Sequence, residues 1–388
     1  MRNSFLLLLG GLLFLSACTK DSEEVIIVHY DDIAFQTISQ TLDLPQEPYD
    51  YKLSLPAHLG QGNNSSVNVN DDLATLGRVL FYDKHLSRNS KVSCASCHHQ
   101  ENGFADPKAL SEGFEGKETH RNSLALGATV SFQDTYGGGS SAIIGGGALF
   151  FWDERAVSIA QQSEMTIQDD IEMGMSMTEL ADRLEGLDYY PHLWEKSFGR
   201  SNVQPDDITL ALETFLNSIG AFHTKFDQGL SETHNAEAAF SNFTEKENLG
   251  KTLYLQNCAT CHGERLAATP VLVANNGLDL EYADKGVGAR SSLQSDNGKF
   301  KVPQLRNIAV TGPYMHDGRF ETLEEVVDFY SENIQAHPNL HEELSFNNGS
   351  AKKFNFTNLE KEALVDFLHT LTDEELAADV RFSDPFKQ

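Results

Sequence analysis

Two short runs constrain this chain more than any other feature: Cys94-Ala95-Ser96-Cys97-His98 and Cys258-Ala259-Thr260-Cys261-His262. A C-x-x-C-H run attaches c-type haem, because two thiols can bond covalently to the haem vinyl groups while the adjacent histidine offers an axial imidazole to the iron. Two runs therefore require two covalently bound haems and a fold that encloses each. Other chemistries also use paired cysteines. One zinc site built from both C-x-x-C pairs needs neither a histidine after each pair nor so long an interval between them. A thioredoxin-type dithiol expects a βαβ setting, which neither run has.

A length of 388 residues predicts about two domains, one haem module each. The expected division is a leader at 1–17, a tether and N-terminal segment at 18–70, a first haem domain at 71–235 and a second at 236–388. Of the five cysteines only Cys18 lies outside the haem motifs. It ends a secretory signal: Arg2, an apolar run from Phe5 to Leu15, then Leu15-Ser16-Ala17-Cys18, too short to span a membrane. The Leu-Ser-Ala-Cys ending resembles a bacterial lipobox, which implies cleavage before Cys18 and lipidation of its thiol; the alternative is an ordinary signal cut nearby. Either way the chain is exported, and the lipobox reading makes it a periplasm-facing or cell-surface membrane lipoprotein. A net charge of −28 argues against nucleic-acid partners; it allows a cationic electron donor to be steered in, with a charged, solvated surface as the more general reason for it.

Helical signals dominate. Asp71 to Lys84 carries Leu73, Leu76, Leu80 and Phe81 on one face, and Asp206 onward carries Ile208, Leu212, Phe215 and Ile219. Capping boxes stand at Ser176–Glu179, Thr244–Glu247, Thr322–Glu325 and Thr357–Glu360. Both haem motifs follow a helix, while 99–122 and 263–299 read as loop, as do the Gly137–Gly139 and Gly145–Gly147 clusters. No run of strands emerges, so the expected class is mainly α.

Four further landmarks occur in order: Leu76-Gly77-Arg78-Val79-Leu80-Phe81, Phe151-Trp152-Asp153-Glu154-Arg155-Ala156, Val302-Pro303-Gln304-Leu305-Arg306-Asn307 and Pro313-Tyr314-Met315-His316-Asp317-Gly318. With the haem motifs they make residues 70 to 370 resemble the bacterial dihaem cytochrome c peroxidase family, including its MauG-like branch. The resemblance implies two cytochrome c-like helical domains whose haems face a shared interface, with the first haem as the peroxide site and the second as the electron-transfer site.

Carried over residue by residue, the resemblance makes His98 and His262 the axial ligands of the two irons. Glu172 matches the distal glutamate and Gln162 the distal glutamine. Peroxide cleavage needs such a group, one that moves a proton between the two oxygens. Phe114 falls where many members place a loop histidine that closes the first haem; phenylalanine cannot bind iron, so that face is expected to be open. His120 and His99 are rival ligands there. Tyr330 falls at the second haem's distal ligand, and it shares a helical stripe with Leu323, Val326 and Val327. Met315 is the competing ligand, and a buried tyrosine can also be plain core. Trp152 matches the aromatic relay between the haems, with interface packing as its bland alternative. Asn122, Thr311 and Pro313 match a calcium site by analogy alone.

Three functions follow from these expectations. The leading one is a peroxidase that reduces hydrogen peroxide to water with electrons from a small donor protein or quinol. The second is a MauG-like oxidase of a protein or small-molecule substrate, and the third is a dihaem electron carrier without peroxide chemistry, for which Glu172 and Gln162 have no use. A homodimer is admitted by the sequence but not specified by it.

Overall fold

The architecture rests on one helix crossing used twice. The structure is a computed structural model that describes residues 30–59, 66–67, 69–127, 149–266 and 269–387; the leader with Cys18 and the glycine clusters at 137–139 and 145–147 lie outside these. Helix α1 (Asp32–Ile38) is capped by Asp31, which accepts from the amides of Ile33 and Ala34. Helix α2 (Asp71–Tyr82) is capped by Asn70, which accepts from Leu73 N–H at 3.0 Å, and it sets Asp71 and Asp72 against the positive end of its dipole. Then come α3 (Ile159–Gln168), α4 (Met177–Glu185), α5 (Tyr190–Phe198) and α6 (Pro205–Leu216). Helix α6 crosses α2 at Gly77, where a Cβ would stand 2.0 Å from Ala211 O and 2.7 Å from Phe215 Cβ.

The second half repeats this contact. Helix α7 (Lys225–Thr233) leads to α8 (Glu245–Asn257), and α9 (Ala259–His262) carries the second haem motif directly from its end. After α10 (Val287–Ser291) and α11 (Leu323–Asp328), helix α12 (Asn358–His369) crosses α8 at Gly250, where a Cβ would stand 1.8 Å from Ala363 O and 2.8 Å from Phe367 Cβ. The residues correspond: Leu76-Gly77-Arg78-Val79-Leu80-Phe81 matches Leu249-Gly250-Lys251-Thr252-Leu253-Tyr254, and Ala211 with Phe215 matches Ala363 with Phe367. Even the buried cation recurs. Arg78 is 2% exposed and donates to Ser383 O; Lys251 is 1% exposed and donates to the carbonyls of Ala236 and Ala238.

Around the two crossings stand two hydrophobic cores, one running from Tyr30 to Ala221 and the other from Phe226 to Leu371. Helix α7 buries Phe226 and Leu230 in the second core. The tail returns to the first core. Leu376 and Phe382 join the first core, Tyr82 Oη donates to Phe382 O at 2.5 Å, and Gln100 Nε2 donates to Leu376 O at 2.9 Å. Arg306 fastens the seam between the cores, donating two hydrogen bonds to Asp227 at 2.7 and 2.9 Å and others to Ala221 O and Leu266 O. His58 meets Asp227 from the other side at 3.1 Å.

The fold is mainly α. Strands among the described residues are two-residue antiparallel pairs: β1 (Leu53–Ser54) with β2 (Ser66–Val67), and β3 (Val273–Ala274) with β4 (Phe300–Lys301). The expected capping boxes at Thr244, Thr322 and Thr357 form, and Ser176 caps α4. The stripe ending at Ile219 outruns α6, although Ile219 is buried. No helix among the described residues is long and apolar enough to cross a membrane.

Candidate haem and redox site

The two haem motifs sit on different cores, Cys94 packing against the first and Cys258 against the second. This separates the pairs that a single zinc site would have to unite, and no group of three or more His, Cys, Asp or Glu among the described residues could hold a metal ion. Burial pushes the Cys94 thiol up to about 12 and that of Cys97 to about 11, with Cys258 likewise at about 12. A redox-active dithiol needs the opposite shift.

Both histidines are prepared as ligands. His98 Nδ1 lies 2.9 Å from Phe104 O and His262 Nδ1 lies 3.0 Å from Pro303 O. Each carbonyl fixes the proton on Nδ1 and leaves Nε2 with its lone pair for iron. Burial keeps both rings neutral, His262 to about 4. Neither carbonyl was foreseeable: Pro303 lies in a quoted motif, but nothing in its type signals an acceptor for His262.

A cavity of about 620 Å³ opens beside Cys258, Cys261 and His262. Leu323, Val326, Val327 and Tyr330 all line it, as the helical stripe predicted. Tyr330 reaches it from a π-helical turn, Phe329–Asn333, that follows α11; such turns concentrate at functional sites. Burial pushes the Tyr330 hydroxyl up to about 12, partly offset by Asn276, whose Nδ2 donates to Tyr330 Oη at 3.4 Å. The same Nδ2 lies 3.7 Å from Met315 Sδ, so both expected ligands share one amide donor. Asn276 carries no sequence signal and was missed.

Glu172 and Phe114 come together near the first motif. Phe114 N–H donates to Glu172 O at 3.0 Å, and a Cβ on Gly174 would lie 2.5 Å from the buried Phe114 ring. Asp169 shapes the turn by accepting from the amides of Ile171 and Glu172. The Glu172 acid is raised to about 7 by burial and then by the Asp169 charge; a hydrogen bond from Thr166 and the charge of Arg155 pull the other way. Its charge reaches both Cys94 and Cys97. Thr166 lies one turn beyond Gln162 on α3, so the two share a helix face. Gln162 also lines the cavity, as do Trp152 and Leu126. The rivals stand apart: His120 is exposed and His99 faces Glu101 at 3.8 Å.

Trp152, another residue of the cavity lining, is 9% exposed, with Nε1–H donating to Asn122 O at 2.8 Å. Its ring meets His316 edge-on at 6.5 Å, and His316 stacks on Phe300 at 3.8 Å. Asn122, Thr311 and Pro313 all line the cavity. Asn122 Nδ2 points to the carbonyls of Lys108 and Ala109, which turns its amide oxygen away from them.

Residues 71–235 match the profile of the di-haem cytochrome c peroxidase family. The methylamine utilization protein MauG of Paracoccus denitrificans is 30% identical over 355 residues, covering 79% of this chain and 89% of that protein. The cytochrome c551 peroxidase of Nitrosomonas europaea is 30% identical over 267 residues, covering 67% and 72%. Among solved structures, a MauG-like protein associated with microbial copper homeostasis superposes with a TM-score of 0.67 at 31% identity, covering 82% of this chain and 94% of that one. The diheme peroxidase BthA from Burkholderia thailandensis shares the fold, with a TM-score of 0.63 at 20% identity and coverage of 85% and 94%. The chain belongs to the di-haem cytochrome c peroxidase family, MauG branch included, a family of oxidoreductases that carry c-type haem.

Proposed function

We propose that the protein is a dihaem peroxidase that reduces hydrogen peroxide to water at the Cys94–His98 haem with electrons that enter at the Cys258–His262 haem. The observation that carries this reading is the pairing of Phe114, which cannot bind iron, with Glu172, a half-buried acid raised to about 7. When bound, the haems supply the redox equivalents and the open iron position that peroxide requires. Glu172 takes the proton from one peroxide oxygen and returns it to the other, a transfer best served by a group whose acidity lies near the working pH. Gln162 orients the peroxide, and Thr166 holds the carboxyl in place. Trp152 relays electrons across the seam. Tyr330 would hold the iron of the second haem, and Asn276 would steady its oxygen.

Tyr330 also supports a second reading, a MauG-like oxidase. An anionic, hard phenolate favours oxidised iron and lowers its potential relative to a thioether. Such a haem is hard to reduce but can share the oxidising equivalents of the first, which would then be filled by electrons from a protein or small-molecule substrate. An electron carrier has no use for the Glu172 pocket. Each haem belongs to one of the two cores as its own domain, and Asn122, Thr311 and Pro313 would offer calcium hard oxygen donors. Cys18 anchors the exported chain by lipid.

Optical and electron paramagnetic resonance spectra of the fully ferric protein, followed by rapid mixing with peroxide, test the reading. One high-spin and one low-spin haem with fast bleaching is expected; two low-spin haems that ignore peroxide would refute it. Turnover with reduced cytochrome or quinol then distinguishes peroxidase from oxidase.

A further inference from the structure

Residues 150–156 form a tight loop whose ends meet where Phe150 N–H donates to Ala156 O at 2.8 Å. Inside it Phe151 and Glu154 both take left-handed backbone, with φ of 66° and 56°, which costs an L side chain free energy. Glu154 is also 5% exposed, and its Oε1 accepts no hydrogen bond among the described residues. Opposite stands Lys301, with Nζ 3.7 Å from Glu154 Oε1 and 2.9 Å from Leu149 O. Lys301 N–H in turn donates to Trp152 O at 2.7 Å. A glycine would meet the backbone requirement at 154 and leave no buried charge to satisfy. Packing alone does not account for a glutamate there.

Trp152, two residues away, supplies the need. Its Nε1–H is held by the Asn122 carbonyl, which accepts a hydrogen bond but is no base for the proton. An indole that loses an electron here therefore stays a cation, and a buried cation requires a counter-charge. Asp153 is already engaged by Arg121 at 2.9 Å and Arg155 at 3.0 Å. Glu154 is the adjacent carboxylate that no guanidinium hydrogen-bonds among the described residues.

We propose that Glu154 is the counter-charge to oxidised Trp152 and that Lys301 sets how much of that charge the indole feels. One electron leaves the indole for the first haem site after that site has been oxidised by hydrogen peroxide; no proton moves; an electron from the external donor later restores the indole. Glu154 and Lys301 are positioning residues in this step. Burial raises the Glu154 acid, with Lys301 and Arg290 opposing and Asp153 reinforcing it, and burial lowers the Lys301 ammonium, so neither charge is held firmly until a third appears beside them.

This inference rests on Trp152 as the relay, and the experiment separates the two. The ferric holoprotein is mixed rapidly with equimolar peroxide, and the absorbance change of the second haem is timed against that of the first. Glu154→Gln leaves Lys301 unopposed and is expected to slow the second haem's response about tenfold, a modest share of what one charge contributes in a protein interior. Lys301→Met leaves the carboxylate unopposed and is expected to respond at least as fast as wild type. Glu154→Gly relieves the backbone strain, so it should raise the Tm while responding as slowly as Glu154→Gln. Loss of packing would slow all three and lower the Tm of all three, which overturns the proposal. If Trp152→Phe slows the response but Lys301→Met is as slow as Glu154→Gln, the counter-charge is refuted and the relay stands. If Trp152→Phe changes nothing, both fall.

Discussion

Replacing Glu172 by glutamine should make the protein slower and, above neutral pH, more stable. The acid moves from its ordinary value of 4.5 to about 7 on folding, first because burial penalises the carboxylate. At 1.36 kcal/mol per pH unit, that displacement corresponds to about 3 kcal/mol. The sign follows from which form the fold prefers. A raised acid favours the protonated carboxyl, so its stabilisation is complete below 4.5 and disappears as the pH climbs through 7. Glutamine has the shape of the protonated form at every pH. The difference in unfolding free energy between variant and wild type should therefore grow in the variant's favour by about 3 kcal/mol from about pH 4 to about pH 9. Urea unfolding of both proteins across that interval measures it. Peroxide reduction should move the other way, falling about 10²- to 10⁴-fold, and the wild-type rise in rate through pH 7 should flatten. A stability difference independent of pH would refute the raised acidity. An unchanged peroxide rate would remove Glu172 from proton transfer.

Tyr330→Met should raise the second haem's potential and alter its low-spin ferric spectrum without touching the first haem, whereas Met315→Leu should leave that spectrum as it is; redox titration with paramagnetic resonance checks both. Gly250→Ala forces a methyl group into the Ala363 carbonyl and should cost about 1–3 kcal/mol or more, read as a lower Tm. Asp227→Asn breaks a buried bidentate pair with Arg306 and should destabilise by about 3–5 kcal/mol. Burial opposes ionisation of Asp227, yet Arg306 and His58 hold its acid at about 2. That stabilisation is present above the ordinary value near 4 and fails as the pH falls towards 2, so acid unfolding of the wild type should steepen in that window.

Helix ends were legible because their signals are local: Thr244, Thr322 and Thr357 bond to residues three positions on, and no tertiary contact is needed to form the box. The Tyr330 stripe was legible for the same reason, although the π-helical turn that delivers the ring was not. Helices α3, α5 and α7 escaped notice because their apolar faces are short and interrupted. At the site, Cys94, His98, Cys258 and His262 follow from covalent chemistry. By contrast, Asn276, Phe104 O and Pro303 O act through polar groups that every chain carries in quantity, and only the fold singles them out. Glu172 is one of 57 acidic residues; its displaced acidity comes from burial and from Asp169, neither of which spacing reveals. The return of the tail to the first core depends on contacts such as Arg78 with Ser383, too distant in the chain for any local pattern.

That returning tail also sets an order of events. Chains are made from the N-terminus and fold largely unit by unit as they emerge. Here the wall beside Phe104 is built by Phe382, whose ring lies 6.5 Å away, and Gln100, two residues past His98, is anchored by Leu376 and Asp379. The first core therefore gains its last members, Leu376 and Phe382, after Leu371, the last member of the second core, has been made. The half that begins the chain is thus completed by residues made after the second half.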